Sequence, residues 1–179
     1  MNIRIAKFGD LENIVEIYNQ AISAGEKTAD ITPVTANDRK KWFKGHTPAK
    51  YPILVAEEGE SIVGYLTINA YRPGRMALQH TAEVSYFIHF EHHRKGIASR
   101  LLRYAIDMSP SLKIKTLFAI LVDSNQNSIK VLEKYGFEKW GHMPRVAEFD
   151  GIEFGHLYYG LRVENANLAG IPLTPHTSK

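Results

Sequence analysis

The chain has 179 residues, of which 44% are hydrophobic, and this is enough for one domain with a sizeable core. It contains no cysteine, which excludes disulfides, thiolate metal sites and cysteine nucleophiles. The formal net charge of +3 arises from basic residues interleaved with acidic ones, a distribution that favours a small polyanionic ligand over nucleic acid.

The N-terminal part of the chain predicts a strand followed by two helices. Residues 2–6 alternate as a short strand, and Asp10 is in position to cap a helix that ends at Gly25. Thr35, with Asp38 three residues later, predicts a capping box at the start of a second, shorter helix. The polar stretch between the two helices is a candidate lining for a substrate entrance.

A hairpin and a short basic connection follow. The runs 51–56 and 62–70 have the composition of strands and are separated by a turn at 57–60, so we expect antiparallel neighbours. The connection after them carries Arg72 and Arg75, and a guanidinium can bind a carboxylate through two parallel hydrogen bonds. Two interpretations remain open for this pair: they bind a substrate carboxylate, or they are arginines of a solvated loop.

The segment 81–108 is the part of the chain around which the other elements are interpreted. Its first part is rich in β-branched and aromatic residues and predicts a strand over 82–89. Strand alternation places a carboxylate, that of Glu83, on one face. The two faces carry Val84, Tyr86 and Ile88 on one side and Glu83, Ser85 and Phe87 on the other.

A basic loop and an amphipathic helix complete this segment, and the helix is predicted to begin near Gly96. The first backbone N–H groups of a helix are unpaired and carry partial positive charge, which suits a phosphate. Gly96 and Ala98 keep that position sterically open, and Arg94 and Lys95 add positive charge. By itself this pattern is equally consistent with a solvated turn before an ordinary helix.

Histidines crowd the same loop and have the residue types of a metal site. They are His89, His92 and His93, with Glu91 between them. Adjacent histidines on a turn are expected to point apart, and the sequence offers no cysteine or distant ligand pair to complete a site. We therefore expect no metal.

The second half of the chain predicts two further helix–strand units and a tail. A parallel crossover is expected around the helix after Gly96, linking the Glu83 strand to the next one. The resulting fold class is α+β, a mixed sheet in three layers, with a single domain over 1–163. The predicted elements are a strand at 115–122, a helix from Asn125 to Gly136, an extended run at 137–140, an Asp-Gly hairpin at 147–153, a strand at 156–163 and a tail at 164–179.

The sequence also bears on the compartment. No apolar run approaches the roughly 20 residues of a membrane-spanning helix, and the first ten residues are too charged for a signal peptide. We therefore expect a cytoplasmic protein without a membrane partner.

Two separated motifs resemble the GNAT family of acetyl-CoA-dependent N-acetyltransferases. The run HRKGIA at 93–98 resembles the family's pyrophosphate loop, Arg/Gln-x-x-Gly-x-Gly/Ala, with His93 where Arg or Gln is usual. Asn125, Ser128 and the Gly136–Phe137 pair match the second family element at the following helix. The resemblance covers about residues 2–162 and implies a three-layer αβα sandwich whose mixed, mostly antiparallel sheet is splayed at the acetyl-CoA site.

Within the family, the runs TAEVSYFI, EKYGF and AEFDG resemble the phosphinothricin and methionine sulfoximine N-acetyltransferase branch. The resemblance implies that Glu83 is the catalytic base and that the backbone of 86–88 pairs with the pantetheine arm. A salt-bridged or surface carboxylate is the alternative for Glu83. The acetyl-CoA-binding residues implied are Tyr86, Phe87, Ile88, Arg94, Lys95, Gly96, Ile97, Ala98, Ser99, Asn125 and Ser128.

The chain departs from the family at Leu132, where a Tyr, or in this branch a His, protonates the departing thiolate. The resemblance implies transfer of an acetyl group from acetyl-CoA to the primary amine of a small amino-acid-like substrate. Two alternatives stay open: a protein or peptide N-acetyltransferase, and a non-catalytic acyl-CoA-binding protein, which Leu132 suggests. Homodimers are common in the branch, so a homodimer is a further expectation.

Overall fold

The structure is a computed structural model that describes residues 1–166, in which seven strands and four helices form the fold. The strands are β1 (Asn2–Ile5), β2 (Ile53–Glu58), β3 (Ser61–Ala70), β4 (Thr81–Ile88), β5 (Thr116–Val122), β6 (Glu138–Phe149) and β7 (Ile152–Arg162). The helices are α1 (Leu11–Ser23), α2 (Ala36–Gly45), α3 (Ile97–Met108) and α4 (Gln126–Lys134).

The strands form one mixed sheet in the order β1-β2-β3-β4-β5-β7-β6. The pair β4–β5 is parallel and is connected through α3, whereas the other pairs are antiparallel. This arrangement confirms the predicted α+β class with a mixed, mostly antiparallel sheet and a crossover around α3.

Helices cover both faces of the sheet, which gives the predicted three layers. On one face, α3 and α4 contribute Leu101, Ile106 and Leu132 to a core that also contains Leu66 and Leu117 of the sheet. On the other face, α1 and α2 cover a smaller cluster centred on strands β2 and β3. Alternate residues of β4 therefore face different helical layers, as the strand pattern predicts.

The sheet opens between β4 and β5. The two strands are in register at three positions, Thr81↔Thr116, Ala82↔Leu117 and Glu83↔Phe118. Beyond these positions, β4 continues to Ile88 and β5 to Val122 without pairing to each other. The unpaired ends diverge and leave a V-shaped opening with Glu83 at its apex, so the predicted splay is confirmed.

The last hairpin is longer than predicted. The turn at Asp150 and Gly151, with φ of +50° and +79°, pairs its flanking residues directly, so both strands extend to it. The register of β6 shifts at Lys139/Gly141 and again at Met143/Ala147. These shifts interrupt the period-two pattern, which is why the sequence indicated three separate pieces, the run 137–140, the Asp-Gly hairpin at 147–153 and a strand beginning at 156.

The two predicted helix caps have different outcomes. Thr35 and Asp38 form the capping box, with Thr35 Oγ1 accepting from Asp38 N at 3.2 Å. Asp10 occupies the predicted N-cap position of α1, but it forms no side-chain capping bond, because its carboxylate accepts instead from the Arg4 guanidinium at 2.7 and 3.0 Å and from Lys7 N at 2.6 Å. Burial alone would raise the pKa of Asp10, but these donors hold it below its usual value.

Two expectations concern the chain's end and the membrane. The predicted tail at 164–179 falls almost entirely outside the described residues; Val163–Asn165 forms a 3₁₀ turn. Among residues 1–166, no helix is both long enough and apolar enough to cross a bilayer.

Candidate active site

A cleft of about 400 Å³ lies at the opening between β4 and β5 and is lined from both sides of the sheet. Its lining includes residues 27–30, so the stretch between the first two helices does border the cleft, as the sequence indicated. Side chains from both helical layers and from β3, β4 and β5 meet there. The polar and aromatic ones include Tyr18, Asp30, Arg39, Trp42, Asn69 and Glu83.

Glu83 lines this cleft at the apex of the opening. Burial raises the pKa of its carboxyl group above the usual range, and a 3.5 Å hydrogen bond from the Ser85 hydroxyl opposes the shift. Among the described residues, none forms a salt bridge with Glu83, which disfavours the salt-bridged interpretation. A desolvated carboxylate that binds a proton more tightly than usual is suited to general-base chemistry.

A hydrogen-bond chain supports the strand position beside Glu83. Asn69 is the antiparallel partner of Glu83 and contacts Thr67 Oγ1 at 2.9 Å and His46 Nε2 at 3.0 Å. His46 Nδ1 lies 2.9 Å from Trp42 O, a pure acceptor, so this ring nitrogen is the donor of that hydrogen bond. His46 Nε2 faces the Oδ1 of Asn69, because the Nδ2 of that amide donates to Thr67 Oγ1. These hydrogen bonds connect the C-terminal end of α2 to β3 at the strand position opposite Glu83.

The basic loop leads from β4 into α3. Gly96 has φ of +76° and is the N-cap of α3, so the helix begins where the sequence predicts. Arg94, Lys95 and Gly96 are exposed, whereas the side chain of Ile97 is buried in the core and anchors the first turn. The side chain of Ile97 therefore cannot meet a ligand, and its predicted role is limited to the backbone. Ala98 and Ser99 are half-buried in that first turn.

The predicted coenzyme residues of β4 have different surroundings. The Tyr86 hydroxyl donates to Ser128 O at 3.4 Å, and burial raises the pKa of Tyr86 to about 12. Phe87 lies on the opposite face, with its ring 5.0 Å from that of Tyr18. Tyr86 and Phe87 line the cleft, and Ile88 packs against the core under α3.

Helix α4 brings the second family element to the cleft. Asn125 is its N-cap and accepts from Ser128 N at 3.3 Å, and both residues line the cleft. Leu132 is 1% exposed and lines the cleft one turn further on. Tyr135 is outside the cleft lining because its hydroxyl donates to Ser99 O at 2.7 Å, which joins α4 to the first turn of α3.

Arg72 and Arg75 are not brought to the cleft. Both are exposed on the connection between β3 and β4, and neither belongs to the cleft lining. The backbone turns outward there, with positive φ at Arg72 and Gly74, and the Arg72 guanidinium lies 5.8 Å from the Tyr71 ring. The structure places a different arginine, Arg39 of α2, on the cleft. In the sequence, Arg39, Trp42 and His46 are three and four residues apart, and this helical spacing could have shown that they share one face of α2.

The adjacent histidines His92 and His93 point to different partners, as expected, with His92 near Glu58 and His93 near Ile88 O, but the non-adjacent His89 comes close to His92. Potential ligand atoms of His89, Glu91 and His92 lie within 4.8 Å of one another because the 3₁₀ turn at 90–92 curls the loop. The Lys95 ammonium is 3.4 Å from His92 Nδ1, which opposes a cation there. The absence of a metal stays a prediction.

The comparison with known proteins agrees with this geometry. Residues 11–137 match the Acetyltransferase (GNAT) family. The chain belongs to the GNAT family of acetyltransferases. The cleft lining includes Asn125 and Ser128 at the start of α4, whereas residues 94–99 at the start of α3 are not part of it.

Individual GNAT proteins with related sequences and folds carry specific names. A Bacillus subtilis protein named "Putative phosphinothricin acetyltransferase YwnH" is 41% identical, covering 86% of this chain and 94% of its own. A Salmonella typhimurium L-methionine sulfoximine/L-methionine sulfone acetyltransferase is 30% identical, covering 87% and 88%. The structure of a phosphinothricin acetyltransferase from Sinorhizobium meliloti in complex with acetyl-CoA superposes with a TM-score of 0.84 at 26% identity, covering 90% and 87%.

Proposed function

We propose that this GNAT protein transfers an acetyl group from acetyl-CoA to the primary amine of a small amino-acid-like substrate. The observation that carries the proposal is Glu83, a desolvated carboxylate of raised pKa at the apex of the opening between β4 and β5. The strand that holds it leads directly into the N-terminus of α3, so one continuous segment joins a base to an anion-binding helix end.

The residues divide the reaction between them. Glu83 accepts the proton of the substrate ammonium, and the neutral amine then attacks the thioester carbonyl. The bond from nitrogen to the acetyl carbon forms, the carbon–sulfur bond breaks, and coenzyme A leaves as the thiolate. The nitrogen gives its remaining extra proton to water as the amide forms, and water protonates the thiolate. Backbone groups of 86–88 pair with the pantetheine amides, since β4 has no strand partner there on the β5 side.

The other acetyl-CoA contacts belong to the two helix N-termini. In this proposal the N–H groups of 96–99, with Arg94 and Lys95, hold the pyrophosphate, and Asn125 and Ser128 border the pantetheine arm. Gly96 is exposed, and a Cβ added there would meet no atom within 4 Å, which leaves room for a phosphate against the backbone.

The names of the relatives favour an amino acid or a close analogue as the acetyl acceptor. Two of them are named for phosphinothricin and methionine sulfoximine, which are small amines with a carboxylate. A protein or peptide acceptor is less compatible with a cleft of about 400 Å³ bordered by helices and the 27–30 segment. A non-catalytic acyl-CoA-binding protein would have no use for Glu83.

Release of free thiol from acetyl-CoA tests the function. The panel contains amino acids, L-methionine sulfone, L-methionine sulfoximine, phosphinothricin and model peptides. We expect thiol release with the small amines and not with the peptides. Coenzyme A binding without thiol release on any amine would exclude both enzymatic functions.

Leu132 gives a second test, because leucine cannot protonate the thiolate. Replacing Leu132 with tyrosine is expected to preserve kcat or to raise it, up to about tenfold, by adding a proton donor. The residue is fully buried, so extra volume costs about 1–3 kcal/mol of stability, and Leu132→Phe is the matched control. A kcat higher for the tyrosine than for the phenylalanine variant supports the role of the hydroxyl. Loss of all activity in both would show that the position requires a small apolar side chain.

The homodimer and the compartment also belong to this proposal. The β6–β7 hairpin exposes four large apolar side chains, Trp140, Met143, Val146 and Ile152, and is the proposed contact between two copies. Light scattering after gel filtration is expected to give twice the mass of 20.3 kDa. A monomeric mass at micromolar concentration would contradict it. We also propose that the protein acts in the cytoplasm.

A further inference from the structure

One face of α2 forms the wall of the cleft that faces α1. Arg39, Trp42 and His46 are spaced three and four residues apart, so they lie on the same side of the helix. Arg39 and Trp42 line the cleft, and His46 contacts Asn69, the strand partner of Glu83. The same wall therefore carries a guanidinium and reaches the strand position beside the proposed base.

Two aromatic rings hold the Arg39 side chain in place. Its guanidinium carbon lies 4.6 Å from the centre of the Tyr18 ring and 5.6 Å from that of Trp42. Stacking on aromatic faces leaves the N–H groups at the edge of the guanidinium free to donate. Among residues 1–166, the hydrogen bond shown for this group is a single one, from Nη2 to Asp30 Oδ2 at 2.9 Å, although a guanidinium has five donors.

The carboxylate of Asp30 receives a second donor at the same oxygen. The Tyr18 hydroxyl donates to Asp30 Oδ2 at 2.7 Å, beside the bond from Arg39. Asp30 lies in the segment between α1 and α2, and 47% of its side chain is exposed. Tyr18 and Arg39, in contrast, are half-buried on helices. Arg39 and Tyr18 thus form a fixed pair of donors to one carboxylate. In this structure the carboxylate that they bind is the exposed one of Asp30.

We propose that Arg39 and Tyr18 form the binding site for the substrate carboxylate, and that Asp30 occupies this site until the substrate replaces it. The inference rests on the proposed acetyl transfer and specifies its substrate class as an amine that carries a carboxylate. The exchange replaces one carboxylate with another, so the guanidinium never loses its counter-charge. Lys27, also on the cleft lining, adds positive charge at the same end.

Three acceptors distinguish the chemistry that the site recognises. The first acceptor, L-methionine sulfone, has its carboxylate next to the amine. The second, L-methionine sulfone carboxamide, has a neutral amide in place of that carboxylate, and the third, 4-aminobutyrate, has a carboxylate three carbons away from the amine. The wild-type protein is expected to show a KM for at least one of the two carboxylates about tenfold below that of the carboxamide. The compound with the lower KM, L-methionine sulfone or 4-aminobutyrate, shows how far the bound carboxylate lies from the reacting amine.

Variants of the site test its two halves. Arg39→Gln is expected to raise KM for the preferred carboxylate about tenfold and to leave KM for the carboxamide unchanged. Tyr18→Phe keeps the ring under the guanidinium and is expected to raise the same KM severalfold. Asp30→Asn removes the internal competitor and is expected to lower KM for the carboxylate. Lys41→Gln, which removes a charge from the exposed side of α2, is the control and should keep the ratio of the two KM values.

The outcomes separate this inference from the function on which it rests. Equal KM values for carboxylate and carboxamide in the wild-type protein, or equal effects of Arg39→Gln on both, would overturn the carboxylate site while acetyl transfer stands. A higher KM for the carboxylate in Asp30→Asn would show that Asp30 only braces Arg39, and would overturn the exchange. No thiol release from acetyl-CoA with any of the amines would refute the acetyl transfer itself.

Discussion

Replacing Glu83 with glutamine is expected to lower kcat/KM for acetyl transfer by about two to four orders of magnitude, the usual contribution of a general base. Glutamine has nearly the same volume and keeps a hydrogen-bond acceptor for Ser85, but it cannot take a proton from the ammonium. Steady-state thiol release at saturating acetyl-CoA measures the effect. An unchanged rate at saturating amine would remove the base assignment.

The pH dependence gives an independent check on the same residue. Because burial raises the pKa of Glu83 above its ordinary value of 4.5, the proton-accepting form appears at higher pH than for an exposed glutamate. The wild-type kcat/KM should therefore rise with pH through an inflection above 4.5, and this inflection should be missing from the residual activity of the glutamine variant.

Stability serves as the control for this substitution. The folded carboxyl binds its proton more tightly than the unfolded one, so the native state loses stability as pH rises from 4.5 through the raised pKa. Glutamine does not titrate, and the variant should be at least as stable as the wild-type protein at pH 7. Thermal unfolding at pH 4 and pH 7 measures this. A variant less stable at pH 7 would show that its loss of activity reflects folding.

Replacing Gly96 with valine is expected to raise the Kd for coenzyme A about 100-fold. The residue has φ of +76°, and a left-handed conformation costs a residue with a Cβ about 1–2 kcal/mol. The loop can relieve this strain only by rotating the N–H groups that the proposal assigns to the pyrophosphate. The isopropyl group also fills the space that is open beside the backbone. Calorimetric titration with coenzyme A measures the affinity.

A matched substitution separates this effect from strain alone. Gly151 has φ of +79° and likewise no atom within 4 Å of an added Cβ, but it lies in the β6–β7 turn. Gly151→Val should lower stability by a similar amount and leave the affinity for coenzyme A unchanged. Equal affinities for coenzyme A in the two valine variants would place the pyrophosphate elsewhere.

Features that depend on residues close in sequence were predictable. The start of α3 at Gly96, the capping box of Thr35 and Asp38, and the alternation that separates Glu83 from Val84 are local hydrogen-bonding or periodicity effects. The two family motifs, one before α3 and one before α4, added the fold and the splay by resemblance. The strand pattern did not predict the full length of β6, because two register shifts interrupt its period-two alternation.

The composition of the cleft wall was decided by tertiary structure. The sequence made Arg72 and Arg75 candidates because a guanidinium can bind a carboxylate through two hydrogen bonds, yet positive backbone angles turn their connection outward. Arg39 reaches the cleft because α2 packs over the sheet and because Tyr18 of α1 supports its guanidinium. Nothing within a few residues of Arg39 encodes the position of Tyr18.

The sequence by itself therefore determined most of the local elements, the capping box of Thr35 and Asp38 and the strand face that carries Glu83, because these follow from neighbouring residues. Only the tertiary structure decided that β4 and β5 separate after three paired positions, and that the Tyr135 hydroxyl is bound to Ser99 O away from Leu132. These features arise from packing between segments far apart in the chain. Such contacts have no period in the sequence, so they emerge only when the helices and the sheet are assembled.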